Sequence, residues 1–133
     1  MTEGVHPNKI KDWIIIARTD WERTRRNLME KDISAAGMFL QQSIEKYLKA
    51  FLIQNGWKLR KIHRLDALLD EVVKFKPELS SFQDFCERVS AYYFADRYPP
   101  FGSLEITEED IEKDLQTTKD LLKVIFPEEN LNG

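Results

Sequence analysis

The spacing of apolar residues in the first half of the chain constrains the fold most. Mostly apolar side chains recur at steps of three and four from about Asn8 to Lys31, and again from Ile33 to Gln54. This spacing places them on one face of an α-helix with 3.6 residues per turn. Two long amphipathic helices are therefore predicted. Their expected buried positions are Ile10, Trp13, Ile14, Ala17, Trp21, Thr24 and Leu28 in the first, and Ala36, Phe39, Leu40, Ile44, Tyr47 and Phe51 in the second.

The ends of several helices are also marked in the sequence. Asp32 can cap the second helix, because its carboxylate can accept from free backbone amides. Gly56 is expected to end that helix, since glycine readily adopts the left-handed conformation found just after a helix. Thr107 with Asp110 resembles a capping box and predicts the start of the last helix.

Three further helices and no strand are predicted after residue 64. Short connections between amphipathic helices predict an all-α fold, an up-and-down antiparallel bundle of four or five helices. We expect a single domain over residues 1–133, with its core at about 9–126. The expected spans are Leu65 to Pro77, Ser80 or Ser81 to just before Pro99, and Thr107 to Pro127.

Composition and length favour a cytoplasmic protein without a membrane anchor. The 133-residue chain has no run of roughly 18 apolar residues that could span a bilayer. Its N-terminus lacks the pattern of a cleavable signal. Cys86 is the only cysteine, so it cannot form an internal disulfide.

Charge is distributed unevenly along the chain. Residues 1–64 contain 13 Lys/Arg and 7 Asp/Glu, a balance of +6, whereas residues 65–133 contain 7 and 16, a balance of −9. The first half could attract an anion that the second half would repel. Segregation of charge between the helices of a bundle would give the same pattern without any ligand.

The usual signs of a cofactor or metal site are missing. The five glycines are too scattered to form a phosphate-binding loop. The two histidines, His6 and His63, are far apart, and the acidic residues show no spaced ligand motif. Cys86 lies at a periodic apolar position and is interpreted as a core residue. We therefore expect no metal and no cofactor.

Two polar features stand out from this background. One is a helix face that is either solvated or a buried polar seam. The other is Arg97, at the predicted end of the fourth helix, where it could pair locally or hold a phosphate or carboxylate. The helix face consists of Gln41, Gln42, Glu45, Lys46 and Lys49.

These features resemble the HEPN domain (higher eukaryotes and prokaryotes nucleotide-binding) over about residues 9–126. The most specific segment is Gln41-Gln42 followed by Glu45-Lys46 and Lys49-Ala50. The full set of resembling segments is Asp12-Trp13 with Ala17 and Asp20, Phe39 to Ala50, His63-Arg64-Leu65, and Ala95-Asp96-Arg97-Tyr98-Pro99.

The resemblance implies a homodimer and a minimal nucleotidyltransferase as partner, as in toxin–antitoxin pairs. Many members are ribonucleases that use an Arg with a His four to six residues later. No His follows Arg97, and Tyr98 replaces the polar residue of that motif. We therefore predict a module without ribonuclease activity that binds a partner and a nucleotide or RNA. Ile15 and Ile16, which lie off the buried stripe of the first helix, favour the homodimer.

The expected ligand site combines five residues, Lys46, Lys49, His63, Arg97 and Tyr98. If the second and fourth helices ran parallel, Arg97 would lie near Lys49 and the basic connection that contains His63. Two alternatives stay open. One is a metal-independent ribonuclease that uses His63 as its base. The other is a helical interaction domain without a small ligand.

Overall fold

A computed structural model describes the backbone of residues 6–97 and 105–131, and the side chains of residues 9–93 and 105–131. These parts of the chain contain helices and no strand, so the all-α prediction is confirmed. A 3-10 helix, Pro77–Phe82, precedes the fourth α-helix. The α-helices are α1 (His6–Met29), α2 (Ile33–Gln54), α3 (Leu65–Val72), α4 (Gln83–Arg97) and α5 (Glu108–Ile125).

The predicted ends of α2 are confirmed. The Asp32 carboxylate accepts a hydrogen bond from the Ala35 amide at 3.3 Å. Gly56 has φ +91°, in the left-handed region that glycine tolerates. The Trp57 amide donates to the Leu52 carbonyl at 2.9 Å across this turn. These bonds occupy backbone groups that the helix itself leaves free.

The capping box before α5 is confirmed, whereas two other boundaries differ from the prediction. Thr107 and Asp110 exchange hydrogen bonds of 3.0 and 3.1 Å. However, α3 already ends at Val72, and α4 begins only at Gln83. Pro77 opens the intervening 3-10 helix, because a proline without an amide hydrogen suits the first turn of a helix.

The helices α1 and α2 form an antiparallel hairpin that supplies much of the core. Ala17 and Trp21 of α1 are fully buried. The Ser43 hydroxyl of α2 donates to the Ala17 carbonyl at 2.8 Å, which places the two helices in close contact. Phe39, expected in the buried stripe, is only half-buried, and the Arg23 guanidinium lies over its ring.

The helix α4 runs back along α2 in the opposite direction. A Cβ added to Gly37, near the start of α2, would lie 3.2 Å from Tyr92, near the end of α4. The expectation that these helices are parallel is therefore wrong. The physical reason lies in the connection. Residues 57–63 run along α2 in the direction opposite to it, and the short α3 then runs in the same direction as α2. Because α4 is antiparallel to α3, it is also antiparallel to α2.

The helix α5 completes the bundle and is joined to α4 by a polar cluster in which Tyr92 and Asp114 are buried and Arg88 is exposed. Tyr92 and Arg88 both donate to the Asp114 carboxylate. Burial and the hydrogen bond to Asp114 raise the pKa of the Tyr92 hydroxyl, so it stays protonated and can donate. This cluster fixes the register between the two helices.

Residues after α5 fold back over α1 and α2. Arg18 donates two hydrogen bonds to the Glu129 carboxylate, at 2.6 and 2.9 Å. The Tyr47 hydroxyl donates to the same carboxylate. Burial raises the pKa of Glu129, but the bonds from Arg18 and Tyr47 outweigh it, so the pKa is lowered overall. Glu129 thus ties the end of the bundle to its first hairpin.

Candidate functional site

The polar face of α2 forms a buried seam. Gln41, Glu45 and Lys49 are only 2%, 4% and 4% exposed. This burial excludes the interpretation of the face as a solvated surface and confirms the buried polar seam. Buried polar groups are costly unless they are hydrogen-bonded, so the partners of each one decide what the seam can do.

One branch of the seam joins α2 to α1. The Lys46 ammonium donates to the Asp20 carboxylate at 2.9 Å and to the Gln42 side chain at 3.0 Å. Arg23 donates to the other oxygen of Asp20 at 3.0 Å. Asp20 therefore meets two cations, and Lys46 is held between the helices.

The second branch leads from α2 to the connection before α3. Gln41 donates to Glu45 at 3.2 Å and to the His63 carbonyl at 2.9 Å. Lys49 donates to Glu45 at 2.9 Å and lies over the Trp13 ring, 5.8 Å from its centroid. The two branches meet where Gln42 donates to Gln41 at 2.7 Å.

His63 forms the exposed end of this chain. Its Nδ1 lies 3.0 Å from Glu45, while its side chain is 71% exposed. In the neutral tautomer that donates from Nδ1 to the carboxylate, Nε2 has a lone pair facing solvent. Within the described part of the chain, Nε2 has no hydrogen-bond partner. A carboxylate behind an exposed imidazole can orient a ligand contact or a proton transfer.

A small pocket of about 170 Å³ opens beside His63. It lies where α3 begins, against the second half of α4. The first amide of α3, that of Leu65, donates to the Ser90 hydroxyl at 2.7 Å, so that amide is already occupied. The pocket is lined by Gln41, His63, Arg64, Ser90 and Tyr93.

The predicted ligand residues are only partly brought together. Lys46 and Lys49 point into the seam and are neutralised by Asp20 and Glu45. The backbone of Arg97 lies one turn after Tyr93, at the pocket end of α4. Lys49 is twelve residues beyond Gly37 in the other direction, about 18 Å along α2.

The expectation that Arg97 lies close to Lys49 is therefore wrong, because α4 runs antiparallel to α2. The structure brings His63, rather than the lysines, toward the end of α4. The Arg97 side chain and all of Tyr98 lie outside the described residues. Their predicted contact with a ligand stays a prediction.

Sequence reasoning missed the residues of the pocket that come from α4. Neither Tyr93 nor Ser90 carries a sequence signal that marks it as part of a site. The periodicity of a helix cannot distinguish a serine that is simply buried in the core from one whose hydroxyl caps another helix. The pairing of Ser90 with Leu65 depends on how α3 packs against α4.

Other kinds of site find little support in the part of the chain that the structure describes. No group of three or more His, Cys, Asp or Glu side chains is arranged to hold a metal ion there. Burial raises the pKa of the Cys86 thiol to about 12, as expected for a core cysteine. None of the described helices is both long and apolar enough to cross a membrane.

Comparison with models of protein families gives a match to this chain. The model of the HEPN domain family matches residues 10–130, nearly the whole chain. No curated protein and no solved structure shows a significant similarity to it.

Proposed function

Because this chain belongs to the HEPN domain family, we propose that it acts as a noncatalytic homodimeric module that binds a partner protein. The observation that carries this proposal is the seam along α2. The polar residues of the most specific resembling segment hydrogen-bond to each other and to α1. Apart from the contact of Glu45 with His63, these bonds join parts of the bundle to one another, which favours a structural role for the segment.

The homodimer is supported by the outer surface of α1. Ile15 and Ile16 are 55% and 45% exposed, although each is a large apolar side chain. Two adjacent exposed isoleucines on one helix favour a contact surface. A two-fold symmetric dimer would cover this surface on both copies at once, and it is the commonest assembly of small proteins.

The proposed partner is a minimal nucleotidyltransferase, as the family resemblance implies, in a cytoplasmic toxin–antitoxin-like pair. The proposed small ligand is a nucleotide or a short RNA. His63, Arg97 and Tyr98 would contact it, because the pocket beside His63 adjoins the end of α4. Lys46 and Lys49 would affect ligand binding indirectly, through the seam. Lys49 would position the Glu45 carboxylate, which in turn contacts His63.

A second candidate function is metal-independent RNA cleavage with His63 as the base. The pair formed by Glu45 and His63 favours it, since the carboxylate orients an exposed imidazole. We place it second, because the Arg-to-His spacing of the ribonuclease members is missing after Arg97.

An RNA cleavage assay separates the two candidates. We expect purified protein to leave single-stranded and structured RNA intact over hours. Cleavage that is lost in both His63→Ala and Arg97→Ala would establish the ribonuclease instead. Calorimetry with ATP and GTP then tests the proposed small ligand. Weak binding that Arg97→Ala reduces, without unfolding the protein, is the expected result.

A further inference from the structure

The segment between α2 and α3 carries the densest unpaired positive charge in the described part of the chain. We name residues 58–64 the basic strip. It contains five basic side chains and no acidic one. Arg64 is paired with Asp66, and His63 contacts Glu45. The other three, Lys58, Arg60 and Lys61, are exposed and form no ion pair within the described residues.

The basic strip has no helical structure and runs along α2. Its start is fixed by the bond from the Trp57 amide to Leu52, and its end by the bond from Gln41 to the His63 carbonyl. These two anchor points on α2 are eleven residues, or about 16 Å, apart. The six residue steps from Trp57 to His63 can reach at most about 20 Å, so the segment can span this distance without forming a helix.

The backbone of the basic strip is largely free to bind. The only backbone bond inside it joins the Ile62 amide to the Arg60 carbonyl at 2.9 Å. The amides of Lys58, Leu59 and Lys61 make no hydrogen bond within the described part of the chain. A non-helical segment with free amides and carbonyls can form main-chain hydrogen bonds with an extended partner chain.

An apolar side chain lies among these charges. Leu59 is 49% exposed between Lys58 and Arg60. It could contact an apolar side chain of a bound segment, which would add to the attraction between opposite charges.

The features favour a protein over a nucleic acid as the occupant. Single-stranded nucleic acids bind where bare aromatic rings can stack on the bases. Trp57, the aromatic ring at the edge of the basic strip, is half-buried, and the Arg60 guanidinium lies 5.7 Å from its centroid. The ring face toward Arg60 is therefore covered. The exposed side chain of Leu59, in contrast, can pack against an apolar side chain of a protein partner.

We propose that the basic strip is the docking surface for an extended acidic segment of a partner protein that carries apolar side chains between its carboxylates. This inference rests on the proposed function as a partner-binding module and names the chemistry of the partner segment. Lys58, Arg60 and Lys61 attract the carboxylates, Leu59 contacts an apolar side chain, and the free amides bind the partner's main chain.

The test uses fluorescence anisotropy with a labelled peptide of glutamates that contains one leucine and one phenylalanine. The charge variant is Lys58→Gln with Lys61→Gln. The matched control, Lys113→Gln with Lys123→Gln, removes the same charge from exposed positions on α5. We expect the strip variant to bind about tenfold more weakly and the control to stay within about twofold of wild type. Binding should also weaken as salt rises.

A second variant tests the apolar contact. Leu59→Ser should weaken binding of this peptide but not of a peptide with alanine at both apolar positions. An oligo-uridylate of equal charge tests the class of partner. The proposal is overturned if the peptide does not bind at low salt, if strip and control variants bind equally well, or if the oligo-uridylate binds more tightly and displaces the peptide.

Sedimentation equilibrium on the same samples keeps this inference separate from the proposed function. A dimer that does not bind the peptide would overturn the docking surface alone. A monomer that binds it through the basic strip would overturn the homodimer and leave the docking surface in place.

Discussion

Lys49 and Glu45 form an ion pair inside the molecule, one turn apart on α2, with 2.9 Å between nitrogen and oxygen. Both side chains are 5% exposed, so water screens the pair little. Glu45 also meets Gln41 and His63, whereas the Lys49 ammonium lies over the Trp13 ring. The pair therefore connects the core of the hairpin to the exposed imidazole.

Removing one partner of this pair should destabilise the protein strongly. Lys49→Met leaves the Glu45 carboxylate buried without its cation, and we expect a loss of about 3 kcal/mol in the free energy of unfolding. Urea denaturation followed by circular dichroism measures it. The double variant Glu45→Gln with Lys49→Met has no orphaned charge and should recover much of the loss. A single variant as stable as wild type would contradict the structural role of the seam.

Glu129 should make stability depend on pH in the acid range. Its pKa is lowered in the folded protein, so its contribution is present above the unfolded value and is lost as the pH falls through the folded value. We expect Glu129→Gln to be less stable than wild type by about 1–2 kcal/mol at pH 7, because Arg18 and Tyr47 lose a charged partner. This difference should shrink below about pH 4.

Thermal melts at several pH values measure this effect. The matched control is the exposed neighbour Glu128, since Glu128→Gln removes the same charge without breaking the contacts of Arg18. If both variants show the same pH dependence, the hydrogen bonds from Arg18 and Tyr47 to Glu129 are not the cause of the pH dependence of stability.

Cys86 should be chemically inert in the folded protein. It is fully buried, and burial raises the pKa of its thiol to about 12, so almost no reactive thiolate forms at pH 8. A chromogenic disulfide reagent at pH 8 should react only after urea unfolds the chain. Rapid reaction under native conditions would show that the core around Cys86 opens readily.

The sequence was sufficient for the helices that carry strong local signals. Asp32, Gly56 and the capping box at Thr107 act through neighbouring backbone groups, so residue type alone predicts them. The direction of α4 could not be predicted in this way. It depends on the path of residues 57–63 along α2, which is fixed by contacts of His63 with Gln41 and Glu45.

The candidate site could also be predicted from the sequence only in part. The spacing of Gln41, Glu45 and Lys49 identified a polar face, but spacing cannot tell a buried seam from a solvated face. That difference depends on neighbours from other elements, Asp20 for Lys46 and Trp13 for Lys49. The ligand role of Lys46, Lys49, His63, Arg97 and Tyr98 stays a prediction.

The central claim, a homodimeric binding module, is tested most directly by sedimentation equilibrium at micromolar concentration. We compare wild type with Ile15→Arg and Ile16→Arg, which place charge on the exposed apolar surface of α1, and with Met29→Arg as a control on the same helix. We expect the mass of a dimer for wild type and the control, and the mass of a monomer for both isoleucine variants. A monomer mass for wild type would contradict the account.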